Sequence, residues 1–271
     1  MKLVEVLLFA AALAGAQTRL PAELAPYQKV TIMARVSGMV QRVAVDRGSP
    51  VKEGDVLVEL SAPELAAQIA EARARVEASA ARKAEAGAKV GAAEATLERL
   101  LAASKTQGAV AENDIVQARK ALDAARGAVA SIEKEAAAAA AAVRSLEALA
   151  ALLTIRAPFS GIITARFAHP GAVVSPGSGA LLELEQVSRL RCVAAVPESE
   201  YGRIKPGQRL EFTVAAYPGK KFVGTVARSS KSLNPKTRTM PVELDVANPA
   251  GELAPGMYAE VMLPAPMKQP Q

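Results

Sequence analysis

Residues 63–153 read PELAAQIAEARARVEASAARKAEAGAKVGAAEATLERLLAASKTQGAVAENDIVQARKALDAARGAVASIEKEAAAAAAAVRSLEALAALL, with no proline between Pro63 and Pro158. Two heptad ladders run through the stretch. In the first, Ile69, Val76, Lys83, Val90 and Leu97 alternate with Leu65, Ala72, Ser79, Ala86, Ala93 and Leu100. In the second, Ile115, Leu122, Val129, Ala136, Val143 and Ala150 alternate with Ala118, Ala125, Ile132, Ala139, Leu146 and Leu153. Alternating spacings of three and four residues define a coiled-coil seam. Turn chemistry appears once, at Ser104-Lys105-Thr106-Gln107-Gly108-Ala109, so two helices fold back on each other. Each arm of about 40 residues would extend about 60 Å at 1.5 Å per residue, beyond what a compact domain covers. Alanine at most seam positions allows close backbone approach but little burial, which describes a projecting arm. Lys83, on the seam, reads as a register device.

The flanks of the arm repeat each other. Val36-Ser37-Gly38-Met39-Val40, followed by Gly48 and Gly54, is echoed by Phe159-Ser160-Gly161-Ile162-Ile163, followed by Gly171 and Gly177 at the same offsets. After a one-residue insertion, Leu57-Val58-Glu59-Leu60 returns as Leu181-Leu182-Glu183-Leu184. Each half reads as short strands joined by tight turns, with Gly38, Gly48, Gly54, Gly161, Gly171 and Gly177 as the structural glycines. Neither half buries its face alone, so residues 31–62 and 154–187 are expected to form one β-sandwich. Ser61 and Glu64 make a capping-box pattern and Pro63 falls in the first turn, so the strand should hand over directly to the helix.

Residues 188–263 carry period-two alternation between Pro-Gly turns at 206–207, 218–219 and 255–256. With a strand from residues 17–30, they predict an antiparallel β-barrel of about six strands, followed by a tail at 264–271. The fold class is thus mixed β plus coiled coil: a split β-sandwich, an inserted helical hairpin and a small barrel. Residues 1–16 have the layout of a secretory signal peptide, with Lys2, an apolar run and Ala14-Gly15-Ala16. No cysteine follows the small residues, so no lipid anchor is expected. The single cysteine, Cys192, reads as a packed strand residue.

The formal charge is +6, and twelve basic against seven acidic residues from 188 onward place most of the excess in the barrel. A solvated surface accounts for it; an anionic membrane surface or an acidic partner is the partner-type reading. Nucleic acid is disfavoured because no aromatic residues interleave with the basic ones. With one histidine, His169 in a loop, and no paired nucleophile and base, the chain does not read as an enzyme, and no cofactor or metal is expected. Met33 and Met39 read as strand core residues rather than a soft-metal pair.

The repeated halves resemble the two halves of a biotinyl or lipoyl carrier domain. At the junction where such carriers bear the modified lysine, this chain has Leu60-Ser61-Ala62-Pro63-Glu64 and no lysine, so a carrier role is disfavoured. A split lipoyl-like domain around a helical hairpin resembles the periplasmic adaptor, or membrane fusion, proteins. Thr154-Ile155-Arg156-Ala157-Pro158-Phe159-Ser160-Gly161 and the barrel stretches Ala216-Tyr217-Pro218-Gly219 and Asn234-Pro235-Lys236-Thr237-Arg238-Thr239 are similar to adaptors of resistance-nodulation-division (RND) efflux pumps. The resemblance implies a periplasmic protein held at the inner membrane through its partners. Those partners would be a proton-driven inner-membrane transporter, an outer-membrane channel and further copies in a ring; an adaptor of an ATP-driven exporter is the alternative. It also implies a channel contact at the hairpin tip, where Arg99-Leu100 and Val110 match, while Ala111 stands where the family pattern has serine and Asn113 would serve as helix cap. Many members continue into a further membrane-proximal domain, for which the residues after Leu263 are too few.

Overall fold

The structure, a computed structural model, describes residues 18–106 and 109–264. The signal-peptide reading of 1–16, the tail after Pro264, and Gln107 and Gly108 of the hairpin turn lie outside the described residues.

The first helix, α1, spans Pro63–Ala103 and the second, α2, spans Glu112–Ala151. They pair as an antiparallel hairpin whose burial follows the ladders. Every seam position except Lys83 is wholly or partly covered, with Ala72, Ala86 and Leu122 buried, and almost all other positions are exposed. Lys83 is exposed and reaches Glu133 across the hairpin at 2.9 Å. Arg73–Glu147 at 2.6 Å and Arg126–Glu94 at 2.7 Å are further bridges between the helices. Such half-exposed pairs contribute less than about 1 kcal/mol each, so they select register more than they add stability.

Both expected helix caps are absent. The N-cap of α1 is Ala62, not Ser61, because Ser61 is still the last residue of a strand; no side chain caps the helix, and Pro63 begins it. The N-cap of α2 is Ala111, with no capping side chain, and Asn113 lies inside the first turn. Glu112 and Asp114 there act on the helix dipole instead.

The sandwich strands are β2 (Lys29–Met33), β3 (Gly38–Val43), β4 (Pro50–Val51) and β5 (Val56–Ser61) before the hairpin, and β6 (Thr154–Arg156), β7 (Gly161–Arg166), β8 (Val173–Val174) and β9 (Ala180–Glu185) after it. One sheet has the order β2-β9-β7-β4 and the other β6-β5-β3-β8. Exchanging each strand for its repeat partner turns one sheet into the other, which is the geometry of a pseudo-twofold axis. The hydrogen bonds obey it: Gly48 N–H donates to the Ile163 carbonyl and Gly171 N–H to the Val40 carbonyl, both at 2.8 Å. Likewise Ile163 N–H donates to Ser49 and Val40 N–H to Ala172. The following turns match too, Lys52 N–H donating to the Asp55 carboxylate and Ser175 N–H to the Ser178 hydroxyl. Leu57, Val58, Ile163, Leu182 and Leu184 are fully buried between the sheets.

The repeated glycines divide into two kinds. Gly48, Gly54, Gly171 and Gly177 have φ between 86° and 87°, the left-handed region their turns require. Gly38 and Gly161 instead head β3 and β7. A Cβ there would lie 2.9 Å from the Ser61 carbonyl oxygen and 2.4 Å from that of Glu185, respectively, so a crossing backbone demands them. Met33 and Met39 are not core residues: they point outward and are 49% and 46% exposed. The strand alternation sends Ile32, Ala34 and Val40 inward and these neighbours out.

The barrel is closed, in the order β1-β10-β13-β12-β11-β14. Its strands are β1 (Thr18–Pro26), β10 (Arg189–Pro197), β11 (Arg209–Val214), β12 (Phe222–Ser229), β13 (Thr239–Ala247) and β14 (Tyr258–Leu263). The N-terminal strand closes it, pairing with β10 and β14. Alternate residues fill the inside, among them Leu20, Leu24, Leu190, Phe212, Leu244 and Leu263. Cys192 is one of them, and burial pushes its thiol up to about 12. Asn248, buried beyond β13, donates to the Val187 and Leu253 carbonyls at 2.9 and 2.7 Å and accepts from Leu253 N–H at 3.1 Å. Two chain segments cross between barrel and sandwich, and they are tied together by Gln186 N–H donating to the Gln28 carbonyl. Arg189 and Arg191 lie 4.2 and 5.0 Å from the centre of the Tyr27 ring at this joint.

Candidate functional site

The hairpin tip is built by the end of α1, the 104–111 turn and the start of α2. The chain leaves α1 through Ser104, whose N–H donates to the Leu100 carbonyl and whose hydroxyl donates to that of Leu101. Ala109 N–H then closes on the Thr106 carbonyl at 3.1 Å. Arg99 is exposed; its Nη2 donates to the Thr96 hydroxyl at 3.2 Å and its Nε to the Ala95 carbonyl at 3.3 Å. No carboxylate pairs with it among the described residues, so the charged fork is held on its own helix with its outer edge free for an acidic group.

Leu100 is half-buried as the last seam residue of α1, and Val110 is half-buried where the chain enters α2. Thus all three expected tip residues fall at the same end of the hairpin. Sequence reasoning missed Leu101 and Val116, 38% and 42% exposed there. Their signal was available: both are large aliphatics off the seam, at heptad positions that elsewhere in the arm carry alanine, glycine or charge. An arginine amid exposed aliphatics is the composition of an energetic centre in a protein interface.

The other single features are bland. His169 is exposed in a turn, its carbonyl accepting from Ala172 N–H. Among the described residues no group of three or more His, Cys, Asp or Glu is placed to hold a metal ion. No described helix is long and apolar enough to cross a membrane.

Comparison with known sequences bears on the whole assembly. The profile of the CusB barrel-sandwich hybrid domain matches residues 29–184, and that of the CusB-like β-barrel domain matches residues 192–267. The chain belongs to the CusB-like membrane fusion protein family. Nodulation protein NolF of Rhizobium meliloti (strain 1021) is 29% identical over 89% of this chain and 62% of its own length. Nickel and cobalt resistance protein CnrB of Cupriavidus metallidurans is 29% identical over 94% of this chain and 60% of its own. This membrane fusion protein therefore spans about three-fifths of the relatives it matches. The crystal structure of MacA from Actinobacillus actinomycetemcomitans shares the fold, with a TM-score of 0.81 and 18% identity over 92% of this chain and 78% of that one. Membrane fusion proteins are adaptors, a non-enzymatic class that links inner-membrane transporters to outer-membrane channels.

Proposed function

We propose that this membrane fusion protein is the periplasmic adaptor of an efflux system, bridging an inner-membrane transporter of the proton-driven RND class to an outer-membrane channel, with several copies around the conduit. The observation that carries the reading is the hairpin: paired helices of 41 and 40 residues ending in an exposed Arg99 that lacks an ionic partner among the described residues. That arm gives reach of about 60 Å. Its tip, with Arg99, Leu100 and Val110, is the surface offered to the channel, and the sandwich and barrel are the surface offered to the transporter. The bland tip residues Thr106 and Ala109 leave the guanidinium and the aliphatic rim as the recognisable features. Lys205, Arg209, Lys231 and Lys236 of the barrel, which have no ionic partner among the described residues, are the cations an anionic lipid surface would meet.

The test is co-purification of the tagged chain from crosslinked envelopes, beside Arg99→Asp. The expected result is recovery of both an inner-membrane transporter and an outer-membrane channel, with only the channel lost in the variant. The class of transporter recovered then decides between a proton-driven and an ATP-driven partner. Recovery of neither membrane protein would overturn the adaptor reading, and retention of the channel by Arg99→Asp would remove Arg99 from the contact.

A further inference from the structure

The barrel has two ends. At one, β1 leaves for the sandwich and β10 returns from it. At the other, the chain turns from β10 to β11 through residues 198–208 and from β12 to β13 through residues 230–238, and the start of β1 pairs with the end of β14, Thr18 opposite Leu263. The first of these connections contains a 3-10 turn, Glu198–Arg203. The two connections touch: Glu198 N–H donates to the Arg238 carbonyl at 3.3 Å, and their side chains face each other at 3.7 Å. Arg203 reaches both the Glu200 carboxylate and the Pro264 carbonyl. The end away from the sandwich is therefore one continuous rim.

The whole charge excess of the barrel sits on this rim. Six cations, Arg203, Lys205, Arg209, Lys231, Lys236 and Arg238, stand there against two carboxylates, Glu198 and Glu200, a net of +4. Elsewhere on the barrel six cations, Arg19, Arg189, Arg191, Lys220, Lys221 and Arg228, are cancelled by six carboxylates, Glu23, Glu211, Glu243, Asp245, Glu252 and Glu260. The two carboxylates of the rim are each held by an arginine, Glu198 by Arg238 and Glu200 by Arg203. Lys205, Arg209, Lys231 and Lys236 remain, all exposed and all without an ionic partner among the described residues.

Two large side chains stand out among these cations. Tyr201, on the 3-10 turn, is 48% exposed and Leu233, between β12 and β13, is 38% exposed. Neither is part of the barrel's core or packs against it. Both line a cleft of about 280 Å³ with Glu198, Lys231 and Met240, so the chain supplies no apolar bed for them. The connection that carries Leu233 is nonetheless fixed in shape. Asn234 N–H donates to the Thr239 carbonyl and Arg238 N–H to the Asn234 carbonyl, both at 2.8 Å, while the Asn234 side chain accepts from Lys236 N–H at 3.0 Å. Lys231 and Arg238, near its two ends, have φ of 51° and 53° and are the only non-glycine residues with positive φ among the described residues. Such strain persists only where the surrounding structure holds it, and here it holds Leu233 at the surface between Lys231 and Lys236.

A leucine and a tyrosine projecting among free ammonium groups have the composition of a peripheral membrane contact. The aliphatic chain enters the acyl boundary, the phenol sits at headgroup level, and lysine stems reach back to the phosphates. An acidic protein would be met differently, because interface cores are enriched in arginine and depleted of lysine. Three of the four free cations here are lysines, flexible point charges suited to a diffuse anionic surface. We propose that the rim of the barrel away from the sandwich docks on anionic phospholipid, with Leu233 and Tyr201 entering the headgroup region and Lys205, Arg209, Lys231 and Lys236 meeting lipid phosphates. The sandwich, joined at the opposite end of the barrel, is then carried on the side away from the lipid. The proposal rests on the adaptor reading only for which membrane is met, the inner one.

The chain has no tryptophan, so a single one reports its own surroundings. Full-length Leu233→Trp is mixed with vesicles of phosphatidylcholine alone or with phosphatidylglycerol, beside Val223→Trp on the flank of the barrel. With phosphatidylglycerol present, the Leu233→Trp emission should shift to the blue and be quenched by brominated acyl chains, while that of Val223→Trp stays unchanged. In flotation, Lys205→Gln, Lys231→Asn and Lys236→Gln together should weaken binding to the anionic vesicles on the order of a hundredfold, about fivefold per cation. Asparagine at 231 keeps the left-handed backbone accessible. Leu233→Ser should weaken binding several-fold at an unchanged melting temperature. Residues 1–17 and 265–271 are the same in every variant, so differences between variants belong to the rim. An unshifted Leu233→Trp spectrum, or undiminished binding by the triple variant, would overturn the proposal. So would loss of the transporter from crosslinked envelopes by a triple variant that still binds vesicles, which would give the rim to a protein partner. If vesicle binding fails while the chain captures transporter and channel, the lipid contact falls and the adaptor reading stands; if vesicle binding holds and neither is captured, the reverse follows.

Discussion

A methyl group added at Gly161 would sit 2.4 Å from the Glu185 carbonyl oxygen, a distance that backbone must move to relieve. Gly161→Ala is therefore expected to cost about 1–3 kcal/mol, the range for overpacking. Gly48→Ala has open space around it but a φ of 86°, and its expected cost is the left-handed penalty of about 1–2 kcal/mol. Thermal melts of the two variants check this; a Gly161→Ala protein as stable as the parent would refute the close approach. The repeat of glycines was legible in sequence because three of them recur at fixed offsets. Why each is glycine was not, because a positive φ and a crossing carbonyl leave the same letter. Asn248 left no sequence signal at all: its three hydrogen bonds tie together segments around residues 187 and 253, and only the closed barrel brings those to it. The burial of Cys192 was legible from its apolar strand setting, and the structure adds the chemical result. The native thiol should resist maleimide at pH 8 and react only as the barrel opens, so its alkylation rate should follow the denaturant dependence of unfolding. Prompt labelling of the folded protein would contradict a sealed barrel interior.

Among the elements, the hairpin was the most readable, since its ladders required only periodicity, and burial alternates along both helices as they demand. The ends of the helices were less readable. Capping depends on where the preceding strand stops, and β5 runs through Ser61, so Ala62, which has no side-chain acceptor, falls at the cap position. Methionines 33 and 39 were misread for a related reason: a one-residue change in strand phase exchanges inside for outside. Lys83 offers a direct test of what the arm values. Replacing it with leucine, Lys83→Leu, should raise the melting temperature of the hairpin, because a polar seam residue costs stability, while loosening its register. Lys83→Glu should lower helix content at neutral pH by placing like charges together, with recovery when Glu133→Lys is added; circular dichroism reads both. Effects of about 0.5–1 kcal/mol are expected, given that the Lys83 and Glu133 side chains are 52% and 51% exposed. No recovery in the reciprocal pair would mean that the bridge does not form in solution.

At the scale of the molecule, the order of modules was legible because the two glycine-marked halves frame the arm; the tip's aliphatic rim was legible only as two large side chains off the seam, a weaker signal than the ladders themselves. The charge pairs of the sandwich also set its working range. Arg42, hydrogen-bonded to Glu59, holds that carboxyl below its ordinary range, so its stabilisation is present above the unfolded value and is lost as pH falls through the lower folded one. Lys29 is raised chiefly by its hydrogen bond to Glu185, then by Glu183, so its stabilisation is present below the unfolded lysine value and disappears as pH rises through the folded one. A stability plateau from about pH 5 to about pH 10 is expected, with loss on both sides. Melting temperatures across pH would check it, and Arg42→Met should flatten the acid edge.

The interleaving of the two sheets has a consequence for how the chain reaches this state. Each sheet draws strands from both sides of the arm, so neither can be completed until residues near 60 and 153 meet, as the Leu60 N–H bond to the Leu153 carbonyl shows they do. For a floppy connection of this length, joining those ends would cost about 2–3 kcal/mol more than for a tight turn. Helices that zip from their own local turn carry the two ends together as they form, which lowers the effective contact order of the sandwich. The arm is thus also the device that closes the loop, and a chain nicked at its tip should keep its folded state yet refold more slowly after denaturation.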